Sequence, residues 1–412
     1  MRGLSVRVRG IVQGVGFRPF VYQLAERHGL TGWVRNTNAR VEIELDGSGE
    51  ALAAFLRDLR DGTPPLAQID EVVTEERPPT GFTTFEIISS VQEEGWGSIP
   101  PDAATCDACL AETLDPSQRR FRYPFTNCTH CGPRFTIIEE LPYDRDRTTM
   151  RRFDMCDDCR REYEDPLDRR FHAQPVACPA CGPKTWLRGD PGAENPIQKC
   201  AALLRQGRIV AIKGLGGYQL ACDATDGDSV TRLRARKRRY GKPFALMVPD
   251  VGWARRLCQP SREEMAALEG RERPIVLMKQ SRENELAPDV APGLDTLGVM
   301  LPYTPLHHLL LDAFGGPLVM TSGNLSEEPI AIGNDEAVER LGEIADDFLF
   351  HNRDIYARYD DSVVRKLGDA VVPIRRARGF APAPIELPFT AEHDILAVGA
   401  QQKNTFCLVK ES

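Results

Sequence analysis

Long apolar runs are missing from this sequence, and so is an excess of positive charge. No apolar stretch approaches the roughly 20 residues that a membrane-spanning helix needs. The N-terminus, MRGLSVRVRG, alternates apolar and charged residues and lacks the apolar core of a secretion signal. The formal net charge is −8, which argues against a protein that coats nucleic acid. These absences predict a soluble, cytoplasmic protein with no membrane contact, and they disfavour nucleic acid as the partner.

Histidine is also scarce, with 7 residues, whereas cysteine is abundant, with 12. Eight cysteines form one pattern, Cys-x2-Cys-x18-Cys-x2-Cys, which starts at Cys106 and again at Cys156. Two Cys-x-x-Cys turns present four thiolates to one ion, and a closed four-thiolate shell is typical of structural rather than catalytic Zn²⁺. The sequence therefore predicts two structural zinc ions, and we expect this block to act as a spacer between chemical sites. The predicted ligands are Cys106, Cys109, Cys128, Cys131, Cys156, Cys159, Cys178 and Cys181.

The spacing alone leaves the pairing of the cysteines open. Pairing within each repeat is the default, and exchange between the repeats is the alternative. The spacers carry Arg119, Arg120, Arg169 and Arg170, and basic residues beside zinc can contact nucleic acid. We favour the interpretation that these arginines offset the negative charge of the thiolate sites. The other four cysteines are scattered singly, as in a reducing compartment.

The first ninety residues alternate between strand and helix patterns. Strands are predicted over 4–8, 31–36, 41–45, 67–76 and 83–88, with apolar residues at every second position over 4–8 and 41–45. Apolar residues recur at helical spacing after Pro19 and over 50–61. This order, β-α-β-β-α-β, predicts a ferredoxin-like domain.

The loop between its first strand and helix holds Gln13, Gly14, Val15, Gly16 and Phe17. Glycines allow the backbone amides to turn toward one point, and the helix N-terminus behind them favours an anion. The next residue, an arginine at position 18, adds a bidentate fork of donors. The loop therefore predicts a phosphate cradle.

These residues, Gly-x-Val-Gln-Gly-Val-Gly-Phe-Arg18 followed by Gly32-Trp-Val-Arg-Asn36, closely resemble the acylphosphatase signature. The resemblance implies that Arg18 binds an acyl phosphate and that Asn36 orients the attacking water. The family usually has a glycine in the next turn, where this chain has Asn38-Ala39-Arg40, so the geometry of that turn is in question.

Residues 190–388 have an α/β pattern with several polar clusters at strand ends. A buried strand over 209–212 runs into Lys213-Gly-Leu-Gly-Gly217, which lacks the ending of a Walker loop. A basic run over 232–242 contains Lys237 and Arg239, and Ser322 and Asn324 follow another apolar strand. Such cations could converge on a polyphosphate.

Lys237-x-Arg239 and Ser322-x-Asn324 resemble the paired motifs of YrdC-type nucleotide-binding domains, and the resemblance implies an α/β domain with a twisted sheet. Together with the acylphosphatase-like segment and the twin cysteine units, this order resembles the HypF family of carbamoyltransferases. The candidate ATP and carbamate ligands that the resemblance implies are Lys213, Lys237, Arg239, Ser322, Asn324 and Arg353.

The HypF resemblance implies a fold class, a substrate pair and an acceptor. The fold is a multidomain α/β (α+β) chain, and the substrates are carbamoyl phosphate and ATP with Mg²⁺. The implied reactions are hydrolysis of carbamoyl phosphate, formation of carbamoyl-adenylate and transfer to the C-terminal cysteine of a HypE-like protein. Two alternatives stay open, a YrdC-type tRNA-modification enzyme that uses bicarbonate and threonine, and a zinc-containing nucleic-acid-binding module.

The domain boundaries that follow are 1–90 for the acylphosphatase-like domain, 91–101 for a linker, 102–188 for the cysteine block and 190–388 for the YrdC-like domain. Residues 389–412 resemble the first strand, turn and second strand of a further HypF domain, so we expect a truncated chain that does not modify HypE by itself. We also expect these last strands to be disordered, because their partner strands are missing.

Overall fold

A computed structural model describes residues 1–93, 95, 97–399 and 405–409. None of the helices in these ranges is long and apolar enough to cross a membrane. The helices are α1 Phe17–Arg27, α2 Gly49–Asp61, α3 Asp107–Leu114, α4 Asp157–Glu164, α5 Pro196–Arg205, α6 Gly227–Arg236, α7 Val251–Leu257, α8 Arg262–Glu269, α9 Pro305–Phe314 and α10 Asn334–Leu341. The strands are β1 Arg2–Ile11, β2 Thr31–Asn36, β3 Val41–Gly47, β4 Gln68–Arg77, β5 Phe85–Ile87, β6 Thr185–Leu187, β7 Val210–Lys213, β8 Tyr218–Asp223, β9 Ala245–Met247, β10 Ile275–Lys279, β11 Thr296–Met300, β12 Leu318–Ser322, β13 Asp347–His351, β14 Val363–Leu367, β15 Ala370–Arg375, β16 Ile395–Val398 and β17 Phe406–Val409.

The first domain is a five-stranded sheet in the order β4-β1-β3-β2-β5. Strand β1 is antiparallel to both β3 and β4, and β5 extends the sheet parallel to β2. The alternation in β1 buries Leu4, Val6 and Val8 against apolar residues of α1 and α2. The predicted ferredoxin-like order is confirmed, and the strand predicted over 83–88 is β5, at the edge of the sheet.

The cysteine block has little regular structure beyond α3 and α4. Each of these helices begins directly after the first cysteine of its unit, so Cys106 and Cys156 are the N-cap residues. A thiolate at this position is stabilised by the positive end of the helix dipole. The duplicated sequence thus folds into two units with the same local design.

The third domain is built on a ten-stranded mixed sheet in the order β15-β14-β10-β11-β9-β12-β8-β7-β13-β6. Its core covers both faces, with side chains such as Leu220 and Phe348 among one group of apolar residues and Ala221 and Leu349 among the other. Strand β6 pairs with β13, although its sequence lies within the predicted cysteine block. The sheet therefore takes its last strand from the end of that block.

The predicted linker lies against the first domain. The Val91 amide donates to the Asn36 carbonyl oxygen at 3.1 Å, and Glu93 forms an ion pair with Arg40. The described part of this segment is therefore packed rather than free.

The prediction that the last strands are disordered is wrong for the described residues. Strands β16 and β17 pair antiparallel with each other from Ile395↔Val409 to Val398↔Phe406. A hairpin pairs its own backbone groups without a third strand. The predicted turn between the two strands includes residues 400–404, which lie outside the described residues.

Candidate functional sites

The two cysteine clusters have the dimensions of tetrahedral metal sites. The Cys106 and Cys128 Sγ atoms lie 3.7 Å apart, and those of Cys159 and Cys181 lie 3.6 Å apart. Four sulfurs at the usual zinc–sulfur distance of about 2.3 Å are about 3.8 Å from one another. Each cluster takes its four cysteines from one repeat, so the default pairing is confirmed. The donor set and spacing fit Zn²⁺, and the two clusters could hold one ion each.

The arginines of each unit contact the thiols of the other unit. Arg119 donates to the Cys159 Sγ at 3.5 and 3.6 Å, and Arg169 donates to the Cys109 Sγ at 2.9 Å. These contacts agree with the interpretation that the arginines offset thiolate charge. They also cross between the repeats, which the sequence did not predict.

Two glutamates complete this arrangement, which we call the arginine clasp: Glu112 and Glu162 with Arg119, Arg120, Arg169 and Arg170. Glu112 forms ion pairs with Arg120, Arg169 and Arg170. Although burial would raise the pKa of Glu162, hydrogen bonds from Arg120 and Arg119 and the charges of Arg120 and Arg170 lower it to about 2. Both glutamates are therefore held as carboxylates.

The predicted phosphate cradle forms at the N-terminus of α1. Gly14 and Gly16 have φ of +69° and +79°, in the left-handed region that favours glycine. A Cβ atom on Gly14 would lie 3.0 Å from the Tyr143 ring, so this glycine is required for space as well. The neighbouring Val15 and Phe17 are buried in the core of the first domain and anchor the loop.

Arg18 lines the cavity at the cradle, whereas Asn36 precedes Thr37, whose carbonyl oxygen accepts a hydrogen bond from the Gln13 Nε2 at 2.7 Å. Arg18 and Asn36 are both buried, at 7% and 1% exposure. Arg18 donates to the Asp144 Oδ1 at 3.0 Å and to the Ser90 Oγ at 3.3 Å. In contrast, neither side-chain polar atom of Asn36 has a hydrogen-bond partner within the described residues. Leaving a buried polar group without a partner costs about 1–3 kcal/mol, so an amide in this state points to a ligand.

The turn after Asn36 closes without the glycine that acylphosphatases usually have. The Thr37 Oγ1 accepts hydrogen bonds from the amides of Ala39 at 3.2 Å and Arg40 at 3.1 Å. The Thr37 amide donates to the Arg40 carbonyl oxygen at 2.9 Å. A threonine hydroxyl thus holds the turn that follows Asn36.

The cysteine block covers the cradle, so the expectation that it is only a spacer is wrong. The Tyr143 amide donates to the Gln13 Oε1 at 3.1 Å, and the Arg134 Nε donates to the Gly14 carbonyl oxygen. The cavity at the cradle has a volume of only about 20 Å³, and its far wall includes Thr129 and His172. The site is therefore built from two domains.

A second cavity, of about 370 Å³, lies in the YrdC-like domain. Of the six predicted ligands of ATP and carbamate, Arg239 and Ser322 line it. Burial, then repulsion from Arg234 and Arg375, lowers the pKa of Arg239 to about 10. The predicted set omitted further polar side chains of the wall, which are Gln219, Lys242, Tyr303, Thr321, Tyr359, Asp360, Asp361 and Arg375.

Lys237 and Asn324 do not line the second cavity. They connect the Lys-x-Arg motif to the Ser-x-Asn motif. The Lys237 Nζ donates to the Asn324 Oδ1 at 3.0 Å and to the Ser322 carbonyl oxygen. The Ser322 hydroxyl donates to the same Oδ1 at 2.6 Å. Arg238, between the two motif cations, has φ of +53°. The fold thus brings together Lys-x-Arg and Ser-x-Asn motifs that are 85 residues apart.

Lys213 and Arg353 do not line this cavity. The Lys213 Nζ donates to the His351 carbonyl oxygen at 3.2 Å, and burial lowers its pKa to about 8. The Arg353 guanidinium lies 5.0 Å from the centre of the Phe125 ring. Both residues lie near the contact between the sheet and the cysteine block. The sequence could not distinguish them from Arg375, which does reach the cavity, because all three are cations beside strands.

Known protein families match three successive parts of the chain, and these parts correspond to the three domains of the fold. Residues 4–87 match the acylphosphatase family, residues 105–138 and 155–188 match the HypF finger, and residues 202–377 match the Sua5–YciO–YrdC family described as telomere recombination. The acylphosphatase of Thermotoga maritima is 42% identical over 88 residues, which cover 21% of this chain and 97% of that protein.

Longer relatives match the whole chain. Carbamoyltransferase HypF of a Synechocystis species is 49% identical, over 100% of this chain and 54% of that protein. Carbamoyltransferase HypF of Rhodobacter capsulatus is 53% identical, over 100% of this chain and 55% of that protein. A crystal structure of full-length HypF in a phosphate- and nucleotide-bound form has a TM-score of 0.96 and 49% identity, over 100% of this chain and 54% of that one. The chain spans about half the length of the curated relatives it matches. In its fold, its twin cysteine units and its sequence, the whole chain is similar to about half of a HypF carbamoyltransferase.

Proposed function

We propose that this chain hydrolyses carbamoyl phosphate at the cradle and joins the resulting carbamate to ATP at the second cavity. The observation that carries the first step is Asn36, whose amide is buried with no partner within the described residues. It directly precedes Thr37, whose carbonyl oxygen accepts a hydrogen bond from Gln13 of the cradle. A site that leaves both atoms of an amide unpaired is arranged for a bound oxyanion and a water molecule.

In the first step, water attacks the phosphorus atom and the bond from phosphorus to the carbamoyl oxygen breaks. Carbamoyl phosphate and water thus become carbamate and dihydrogen phosphate, with the same total charge. Arg18 and the loop amides would hold the phosphoryl oxygens, and Asn36 would orient the water. Positioning and charge stabilisation are the main contributions that such a site can make.

In the second step, a carbamate oxygen attacks the α-phosphorus of ATP, pyrophosphate leaves and carbamoyl-adenylate forms. Arg239 and Arg375 supply positive charge to the cavity wall, and Mg²⁺ bound to the nucleotide would offset charge on the leaving pyrophosphate. The crystallised relative with phosphate and nucleotide supports this assignment. The carbamoyl group would then pass to the C-terminal cysteine of a HypE-like acceptor.

The first step is tested by incubating the purified chain with carbamoyl phosphate and measuring phosphate release. We expect Arg18→Ala to abolish release and Arg27→Ala to leave it unchanged, because Arg27 pairs only distantly with Asp58 on the surface, at 3.9 Å. Equal activity in wild type and Arg18→Ala would contradict the assignment of the cradle.

The second step is tested by pyrophosphate release from ATP. We expect release to require carbamoyl phosphate and to fall in Arg239→Ala. Release that depends on bicarbonate and threonine instead would contradict the carbamoyl assignment and favour the tRNA-modification alternative.

A further inference from the structure

The duplication in the cysteine block repeats one strained backbone position. Arg122 of the first unit and His172 of the second have φ of +56° and +54°. Their amides donate to equivalent carbonyl oxygens, those of Thr113 at 2.7 Å and Tyr163 at 2.9 Å. This left-handed conformation is strained for any residue other than glycine. Each unit therefore has one residue in a strained turn, and the two residues occupy equivalent positions of the repeat.

These two equivalent side chains face different surroundings. Arg122 lines a cavity of about 190 Å³ together with Lys184 and Asn195. His172 lines the phosphate cradle together with Gly14, Gly16 and Arg18. The second unit thus places a histidine where the first domain has its anion site.

The His172 ring has an unused polar atom and no positive charge at neutral pH. Its Nδ1 is buried and has no hydrogen-bond partner within the described residues. The ring packs against Tyr163 and Phe171, with centroids 5.0 and 4.7 Å away. Burial, then the charge of Arg18, lowers the pKa of His172 to about 4, and Asp144 opposes the shift. A neutral imidazole can donate a hydrogen bond to an oxyanion, and it places no second positive charge beside Arg18.

From this geometry we propose that His172 is a substrate-binding residue of the acyl-phosphate site, contributed by the second cysteine unit. Its Nδ1–H donates to an oxygen of the bound phosphoryl group, across the cavity from the glycine loop. This inference rests on the proposed function and adds a residue that lies outside the acylphosphatase-like domain. It also gives the cover of the cradle a chemical role.

The test uses three variants of the purified chain. His172→Gly and His172→Asn both tolerate a left-handed backbone, and only asparagine keeps a donor near the position of Nδ1. Arg122→Gly makes the same backbone change in the first unit and serves as the matched control. The measurements are the dissociation constant of inorganic phosphate by ³¹P NMR, kcat and KM for carbamoyl phosphate, and bound zinc.

Loss of a hydrogen bond to a charged group should weaken binding about tenfold or more. We therefore expect His172→Gly to raise the phosphate dissociation constant and KM by that factor, His172→Asn to restore much of the loss, and Arg122→Gly to match wild type. Unchanged phosphate binding in His172→Gly, or an equal loss in Arg122→Gly, would overturn the inference. If no form hydrolyses carbamoyl phosphate but phosphate binding still falls in His172→Gly alone, the proposed function fails and the role of His172 stands.

Discussion

The Asn36 side chain is buried, yet its amide makes no hydrogen bond within the described residues. Replacing it can therefore remove activity without lowering the free energy of unfolding. We predict that Asn36→Leu abolishes phosphate release from carbamoyl phosphate while the free energy of unfolding stays the same or rises by about 1 kcal/mol, because an unpaired amide is replaced by an apolar group. Thermal or urea unfolding and the phosphate assay measure the two effects.

The neighbouring Thr37 provides the contrast. Its hydroxyl closes the turn by accepting from two backbone amides, so Thr37→Val should lower stability by about 1 kcal/mol or more. If Asn36→Leu destabilised the chain as much as Thr37→Val does, Asn36 would have a structural role that its contacts do not show.

Lys213 gives a prediction about pH. Burial lowers its pKa to about 8, whereas an unfolded lysine keeps its proton up to about pH 10.4. Below pH 8 the folded chain bears the full cost of the buried charge. Between pH 8 and about 10.4 the unfolded chain binds more protons, so stability rises with pH and the cost disappears.

Replacing this lysine should therefore stabilise the chain at neutral pH. We predict that Lys213→Met raises the free energy of unfolding at pH 7 by up to about 3 kcal/mol, and that the gain shrinks toward pH 10. Urea unfolding at several pH values measures it. Lys199→Met, at an exposed ion pair with Asp190, should change stability by less than about 0.5 kcal/mol. A gain for Lys213→Met that does not vary with pH would contradict the explanation by burial.

At the scale of elements, the arginine clasp couples the two cysteine units. Arg120 is fully buried and donates to Glu112 at 3.1 Å, to Glu162 at 3.0 Å and to the Ala177 carbonyl oxygen at 2.8 Å. We predict that Arg120→Met lowers the free energy of unfolding by about 3–5 kcal/mol, because it leaves buried carboxylates short of a partner. It should also speed the release of zinc to a chelator from both units.

The control for the clasp is Arg151→Met. Arg151 forms an ion pair with Glu139 and is 57% exposed, so its replacement should cost less than about 1 kcal/mol. Faster release from only one of the two sites in Arg120→Met would show that the units hold metal independently.

Elements defined by local pattern could be predicted from the sequence. The zinc ligands follow from cysteine spacing, and β1 and the cradle glycines follow from alternation and turn chemistry. Contacts between distant segments had no such signal. Nothing in the residues near Arg169 indicates that it reaches the Cys109 sulfur, and nothing near Tyr143 indicates that its amide meets Gln13, 130 residues earlier.

At the scale of the whole molecule, the cysteine block contributes to the structure of both of its neighbouring domains. The first domain supplies the glycine loop, the cysteine block covers it, and the third domain takes β6 from the end of that block. Arg134 is central to this arrangement. It is 1% exposed and donates from one guanidinium to the carbonyl oxygens of Gly14, Cys131 and Thr129.

Because Arg134 links the backbone of the cysteine block to the cradle loop, its removal should loosen the cover before it unfolds either domain. We predict that Arg134→Met increases amide hydrogen exchange at residues 13–18 by about tenfold, which corresponds to about 1.4 kcal/mol of lost local stability, while bound zinc stays near the wild-type amount. Arg147→Met, which removes a hydrogen bond to the Leu141 carbonyl oxygen outside the cradle, should leave exchange at the loop unchanged. If exchange in Arg134→Met rose equally throughout the first domain, the loop would open only when the whole domain opens. The contact with the cysteine block would then not stabilise the cradle loop separately.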